Sequence, residues 1–90
     1  MKKAIISVIG KDCVGIIYKV SAVLAEHNVN ILDISQTILN DMFTMMMITD
    51  IQNMNIAYDE LSSRLAEEGK KIGVEIRIQL EDIFEAMHRI

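Results

Sequence analysis

The stretch Val8-Ile9-Gly10-Lys11-Asp12-Cys13-Val14-Gly15-Ile16-Ile17 decides the fold, because an apolar strand pattern changes there into a helical one. Two glycines, Gly10 and Gly15, permit tight turns and the close approach of another group. Asp12 is predicted to be the N-cap of the helix that follows. The first backbone N–H groups of that helix lack partners within it, so they point into the turn. The result is a small polar pocket beside a carboxylate, which suits a zwitterion.

Outward from this turn, the chain divides into four strand patterns and two helical ones. Strands are predicted over 3–9, 30–39, 43–51 and 74–80, and helices over 14–27 and 58–72. Asn28 and Gly73 are predicted to end the helices, because both residue types tolerate the left-handed conformation. Asn40 and Asp41 form the turn of a hairpin, and 52–57 is a polar loop.

The two halves of the chain repeat one another, which supports the element order β-α-β-β-α-β. Three apolar positions of the first half correspond in spacing to three of the second, Ile16, Val20 and Val29 to Leu61, Leu65 and Val74. Right-handed crossovers then place both helices on one face of a four-stranded antiparallel sheet. The predicted fold class is therefore α+β, a ferredoxin-like sandwich over residues 1–80, followed by an amphipathic tail over 81–90.

The other face of this sheet has no predicted cover within the chain. Apolar residues make up 51% of the sequence, and the mean hydropathy is +0.28. The second and third strands are apolar or uncharged on both faces, with Leu32, Ile34 and Ile38 expected opposite Ile31, and Met45 and Met47 opposite Met46 and Ile48. An apolar sheet face of this kind is expected to meet a partner, so the sequence predicts a homodimer.

Composition and charge exclude several classes of function. The net charge is −4, and the nine basic residues are scattered rather than arranged in the stripe that nucleic-acid binding needs. Cys13 is the only cysteine, so there is no disulfide framework and no thiol pair for a metal. No apolar run reaches the length of a membrane span, and the N-terminus is a poor signal peptide. We expect a cytoplasmic protein without metal, cofactor, nucleic acid or membrane partner.

The element order and the first turn together resemble the ACT domain, a small-ligand regulatory module. The resemblance is carried by Gly10-Lys11-Asp12-Cys13-Val14-Gly15-Ile16 and by Asn28-Val29-Asn30-Ile31 after the first helix, and it covers about residues 3–80. The whole chain is similar to the small stand-alone bacterial ACT proteins, which end in a segment like Asp82-Ile83-Phe84-Glu85-Ala86-Met87-His88-Arg89-Ile90.

The resemblance implies an amino-acid site at the interface of two paired domains. In the family, the ligand lies between the first strand–helix turn of one domain and the second strand of its neighbour. By position, the ligand-binding residues would be Asp12, Cys13, Val14, Gly15 and Ile16 in the turn, and Asn28, Asn30 and Leu32 at the second strand. Backbone N–H groups at a helix start favour a carboxylate, and Asp12 can accept hydrogen bonds from an ammonium group.

Each of these residues also has a purely structural interpretation. Asp12 caps a helix, Gly15 allows close packing of helix on sheet, and Asn28 ends a helix.

Other functions of ferredoxin-like folds fit the sequence less well. RNA recognition needs aromatic residues on the strands, and Phe43 is the only one there. The methionines Met42, Met45, Met46 and Met47 alternate between faces, so they fill core and interface rather than converge on a copper ion. The only histidines, His27 and His88, lie far apart in sequence, and no nucleophile–base pair is present.

The sequence thus predicts a non-enzymatic ACT protein that binds a small molecule, an amino acid, as a homodimer and signals to a partner protein. The tail over 81–90 has Ile83, Met87 and Ile90 on one helical face. It either packs on its own domain or across the dimer, or serves as a docking peptide for another protein. The alternative function is a constitutive protein–protein adaptor with an empty pocket.

Overall fold

A computed structural model describes residues 1–81 of the chain. Its elements are β1 (Lys3–Lys11), α1 (Ile16–Glu26), β2 (Asn30–Leu39), β3 (Met42–Asp50), α2 (Tyr58–Ile72) and β4 (Val74–Leu80). The order β-α-β-β-α-β is the predicted one. The predicted tail over 81–90 lies outside the described residues from residue 82 onward, so it stays a prediction.

The four strands form one antiparallel sheet in the order β2-β3-β1-β4. Strand β1 is central, since it pairs with β3 on one side and β4 on the other. The hydrophobic core lies between the helices and the sheet face toward them. Its fully buried residues include Ile6 and Met47 on the sheet and Leu24 and Leu65 on the helices. This arrangement confirms the predicted ferredoxin-like fold class.

One polar side chain lies within this core, and its hydrogen bond explains how it is tolerated. Thr49 is completely buried, and its Oγ1 donates to the carbonyl oxygen of Ala4 at 2.9 Å. A buried hydroxyl without such a partner would cost free energy. The bond therefore removes the penalty while adding a link between β1 and β3.

A β-bulge changes the alternation that the sequence predicts for β2. Ile31 pairs with Thr49, but Asp33 pairs with Ile48, so Leu32 is an extra residue in this strand. Ile34, paired with Met47, therefore returns to the helix side of the sheet, the same side as Ile31. The prediction that Ile34 and Ile38 lie opposite Ile31 is wrong, because the bulge shifts the phase by one residue.

The two helices end at equivalent places, as the internal repeat predicts. Asn28 has φ 59° after α1, and Gly73 has φ 79° after α2. Both values lie in the left-handed region that Gly and Asn tolerate best. The turn between β2 and β3 also follows the prediction, because Asn40 and Asp41 have φ 51° and 68°, as a two-residue hairpin requires.

The sheet face opposite the helices is here called the open face, because neither helix of residues 1–81 packs on it, although Ile5 on this face is only 5% exposed. Exposed apolar side chains on it include Ile9, Met42 and Met46. Within the same residues, neither helix combines the length and the apolar character that crossing a bilayer requires.

A glycine in α2 generates a test of the packing between this helix and β4. A Cβ added to Gly69 would lie 2.6 Å from the carbonyl oxygen of Val74, and neither backbone can yield cheaply. Replacing a helical glycine by alanine ordinarily stabilises a protein by about 0.5–1 kcal/mol. For Gly69→Ala we expect the opposite sign, a loss of roughly 1–3 kcal/mol in the free energy of unfolding, measured by urea denaturation.

The matched control is Ser63→Ala, an exposed position of the same helix. It should raise the free energy of unfolding by a few tenths of a kcal/mol, as helix propensity predicts. A Gly69→Ala variant as stable as the wild type would contradict the close approach of α2 to β4.

A partly buried tyrosine hydroxyl generates a second test, through the pH dependence of stability. Tyr58 donates its phenolic hydrogen to the carbonyl oxygen of Ile78 at 2.9 Å. Desolvation by burial, and then the negative charge of Asp59, raise the pKa of Tyr58 above its ordinary value. The folded state therefore holds this proton more tightly than the unfolded state. Its stabilising effect is fully present below the unfolded pKa of about 10 and is lost as the pH rises through the folded pKa.

We expect Tyr58→Phe to lower stability by about 1 kcal/mol at neutral pH and to flatten the fall in stability above about pH 10. Urea denaturation across this pH range measures both effects. The control is Tyr18→Phe, since Tyr18 is exposed and its loss should leave the pH dependence unchanged. Equal pH dependence in all three proteins would disprove the assignment to Tyr58.

Candidate functional site

The turn between β1 and α1 is shaped by a glycine rather than by a capping carboxylate. Helix α1 begins at Ile16, its N-cap residue is Gly15, and no side chain caps it. The prediction that Asp12 is the N-cap is wrong, because the helix starts three residues further along the chain than that role allows. Within residues 1–81 the carboxylate of Asp12 makes no hydrogen bond or ion pair. It is therefore available to a ligand.

The backbone conformation explains the glycine at position 15. Gly15 has φ 91°, and a Cβ added there would meet nothing within 4 Å. Close packing of helix on sheet is therefore not its role, which corrects the structural interpretation given above. The residue is needed for its left-handed backbone, which L side chains rarely adopt. This conformation turns the chain from the end of β1 into α1.

A backbone hydrogen bond connects this turn to the neighbouring hairpin. The N–H of Asp12 donates to the carbonyl oxygen of Asp41 at 2.7 Å. Asp41 lies in the turn between β2 and β3, so the bond holds this hairpin beside the start of α1. Two segments that are distant in sequence thus form the walls of one depression.

The depression has a volume of about 220 Å³ and lies on the helix side of the sheet. Of the residues predicted to bind a ligand, it is lined by Asp12, Cys13, Gly15 and Ile16. Val14 does not line it, and its side chain is fully exposed. The remaining lining residues are Ile17, Tyr18, Gln36, Ile38 and Phe43.

None of these five wall residues was predicted to bind a ligand, and three of them, Gln36, Ile38 and Phe43, lie on β2 and β3. The ladder pairs Gln36 with Met45 and Ile38 with Phe43, which places all three on the helix side. The bulge at Leu32 determines that Gln36 and Ile38 lie on the helix side, and the sequence pattern gives no indication of the bulge. The register of the hairpin, once known, would have identified them.

The other predicted residues, Asn28, Asn30 and Leu32, lie toward the far end of α1, which is about 16 Å long. In a single copy they are separate from the depression. Asn28 has a local role, because its Nδ2 donates to the carbonyl oxygen of Asn53 at 2.8 Å. The side chains of Asn30 and Leu32 are exposed.

The loop after β3 fixes the end of α1 through His27, which is 8% exposed. Asn55 donates its backbone N–H to the His27 carbonyl oxygen at 3.1 Å and its Nδ2 to the Glu26 carbonyl oxygen at 3.2 Å. Its Oδ1 lies 3.1 Å from His27 Nδ1, so that nitrogen is the protonated one. These contacts give this end of the helix a structural role.

The depression combines one negative side chain with backbone donors and an apolar floor. Asp12 supplies a carboxylate, and Gln36 supplies an amide that can donate or accept. Among residues 1–81 no lysine or arginine lines it, so a carboxylate of a ligand would rely on the uncapped N–H groups at the start of α1. Ile16 and Phe43 are almost completely buried beneath it. Cys13 contributes an exposed thiol that donates weakly to the Ile72 carbonyl oxygen at 3.7 Å.

The βαββαβ sandwich, with a glycine-containing first turn beside the second strand, is the arrangement expected of an ACT domain, a small-molecule regulatory domain. A family model described as ACT domain matches residues 2–79. The chain therefore belongs to the ACT domain family.

Relatives and solved structures of similar length agree with this membership. A UPF0237 protein of Clostridium acetobutylicum is 56% identical over 88 residues, covering 98% of this chain and 99% of that protein. A UPF0237 protein of Methanocaldococcus jannaschii is 48% identical and both chains are covered completely. An ACT domain protein from Streptococcus pneumoniae has a TM-score of 0.81 at 42% identity, covering 93% of this chain and 94% of that one.

The same fold occurs as part of longer proteins. A formyltetrahydrofolate deformylase from Pseudomonas syringae superposes with a TM-score of 0.81 at 24% identity, covering 89% of this chain and 28% of that one. At this identity the likeness concerns the fold alone.

The geometry of the first turn predicts how substitutions at Gly15 act. Gly15→Ala should lower the free energy of unfolding by about 1–2 kcal/mol, because the left-handed backbone is costly for alanine. Gly15→Asn should cost less, since asparagine visits that conformation more readily. Thermal or urea denaturation compares the three proteins. If alanine is tolerated better than asparagine, the backbone conformation is not the constraint at this position.

Proposed function

We propose that the chain is a cytoplasmic regulatory protein that binds an amino acid between two copies, at the depression beside the first turn. The observation that carries this proposal is the incomplete wall of the depression. One side is the edge strand β2, on which Ile34 is 40% and Ile38 is 56% exposed on the helix side of the sheet. A second copy that pairs along this edge would complete the wall.

Pairing of the two β2 edges would also bring together the residues that one copy keeps apart. A twofold axis near Ile34, at the middle of the ten-residue strand, would make the two β2 strands antiparallel neighbours. Gln36 of one copy would then lie near Leu32 of the partner copy, and Ile38 near its Asn30. The second-strand half of the predicted site would thus reach the first-turn half across the interface.

The local chemistry of the edge is compatible with such pairing. The Oδ1 of Asp33 accepts the N–H of Ile34 at 2.9 Å in the single copy. This bond satisfies a donor on a strand that would otherwise be an open template for other chains. Pairing would exchange this local bond for hydrogen bonds between the two strands.

The charges of the depression favour a zwitterion over an anion or a cation alone. The ammonium group would be held by the carboxylate of Asp12, with the side-chain oxygen of Gln36, which also lines the depression, as a second acceptor. The carboxylate would face the uncapped N–H groups of α1. A ligand bound at this interface favours the paired arrangement by its difference in affinity between the two states. The changed surface would be the signal to a partner protein.

The first test is a thermal-shift screen of the full chain against the twenty amino acids. A ligand at a hundred times its dissociation constant should stabilise the protein by about 2.7 kcal/mol. We expect Asp12→Asn to abolish the shift caused by the active compound, and Leu32→Glu to abolish it by placing a charge beside Gln36 of the partner copy. The control Asp59→Asn removes an exposed carboxylate of α2 and should preserve it. Absence of any response in the wild type would favour the constitutive adaptor.

Mixing two inactive variants tests whether the site is shared between copies. A heterodimer of Asp12→Asn with Leu32→Glu contains one site in which both residues are intact and one in which both are changed. We therefore expect the mixed protein to recover binding at about half the wild-type capacity, measured by calorimetry. Recovery cannot occur if both residues serve a site within one chain, so its absence in a verified heterodimer would contradict the shared site.

A further inference from the structure

The open face of the sheet differs between its middle and its edges. Strand β4 alternates as a solvated edge strand should, with Glu75 and Arg77 on the open face. The central strands β1 and β3 carry no charge on the middle of this face, where their side chains are Ile5, Ser7, Ile9, Thr44, Met46 and Ile48. Strand β4 thus has the charged side chains expected of a strand that faces water, whereas the central strands β1 and β3 do not have them on this face.

The ladder registers arrange the open face in rows that run across the strands. One inner row is Arg77–Ser7–Met46–Ser35, and the next is Glu75–Ile9–Thr44–Thr37. An outer row on one side is Gln79–Ile5–Ile48–Asp33, and on the other side Lys11–Met42–Leu39. The middle of the face therefore lies between the two inner rows.

We propose that this open face packs against the open face of a second copy of the chain. The twofold axis lies between the two sheets, runs perpendicular to the strands, and passes midway between the two inner rows. Such an axis sets each inner row of one copy over the other inner row of its partner. It uses neither the β2 edge nor the depression. A chain that forms both interfaces would assemble as four copies, two amino-acid-binding pairs back to back.

Charge complementarity supports this axis. Glu75 and Arg77 lie two residues apart on one strand and already form an ion pair, with Arg77 Nε 2.8 Å from Glu75 Oε1. The twofold axis places Arg77 of each copy over Glu75 of the partner copy. Four charges at the rim then form two further attractive contacts, and like charges are not brought face to face.

In the two inner rows, the sizes of the side chains are complementary about the same axis. Ser7 would face Ile9 of the partner copy, and Met46 would face Thr44 of the partner copy, so each large side chain opposes a small one. Sheets that pack face to face interdigitate in this way at a separation of about 10 Å. A depression of about 310 Å³ lies over Ser7 and Ile9, which leaves room for the partner's side chain.

The extent of the face is sufficient for a stable interface. Four strands about 4.8 Å apart and four rows about 6.7 Å apart cover roughly 500 Å² of flat sheet. Corrugation by the side chains brings the accessible area toward the roughly 800 Å² per partner of a standard interface. Nucleic acid is a poor occupant, because these rows hold no aromatic residue and, with two cationic and two anionic side chains, no net charge.

The experiment measures the mass of the full chain in solution by light scattering, for the wild type and two variants of the open face. Met46→Lys and Thr44→Lys place a charge at the centre of the face, at positions that are exposed in one copy. Circular dichroism confirms that each variant folds. We expect the wild type to contain four copies and both variants two, with the face-to-face dissociation constant raised about 100-fold or more.

Matched controls separate this interface from the proposed binding interface. Ala66→Lys adds the same charge to an exposed position of α2 and should leave four copies. Ile38→Lys disrupts the β2 edge, so it should also give two copies, but without the thermal response to an amino acid that Met46→Lys retains.

Three outcomes would overturn the proposal. The first is a folded Met46→Lys or Thr44→Lys variant with the wild-type mass. The second is loss of assembly in Ala66→Lys as well. The third is a wild-type mass of two copies that falls to one copy in Ile38→Lys and stays at two copies in Met46→Lys. This last result would support the β2-edge interface and contradict the open-face interface. A dimer that Met46→Lys separates and Ile38→Lys does not would support the open-face interface and contradict the β2-edge interface.

Discussion

The structure depends on the antiparallel pairing of β1 with two partners at once. Strand β1 holds β3 on one side and β4 on the other, so it fixes the places of both halves of the repeat. Its close approach to β4 is possible because position 10 lacks a side chain, since a Cβ there would lie 2.8 Å from the Cα of Val74. With β1 in place, both helices are directed to one face and the first turn is brought beside the β2–β3 hairpin.

The first turn shows how a local device can have a distant effect. The left-handed backbone of Gly15 starts α1 late, which leaves 12–15 outside both β1 and α1. One of these residues, Asp12, uses its N–H to hold the hairpin turn at Asp41, while its carboxylate has no partner among residues 1–81. The same short segment thus joins two elements and presents a charge. A helix with an ordinary side-chain cap would have used that carboxylate itself.

Most of the fold could be predicted because its signals are local in the sequence. Alternation identified β4, helical spacing identified α2, and the helix ends followed from Asn28 and Gly73. The first-turn residues that line the depression could be anticipated for the same reason, since Asp12, Cys13, Gly15 and Ile16 are neighbours in the chain. Gln36, Ile38 and Phe43 were missed because their position depends on the ladder register, and a bulge leaves no periodic signal.

The bulge at Leu32 has a consequence for how the length of this chain can vary. The ladder pairs Ile31 with Thr49 and Asp33 with Ile48, so both neighbours of Leu32 would keep their partners if that residue were absent. Elsewhere in a strand, loss of one residue turns every later side chain to the other face. Here the sheet carries one residue more than its pairing needs. Loss of Leu32 would therefore shorten β2 by one residue and leave the pairing on both sides of it in register.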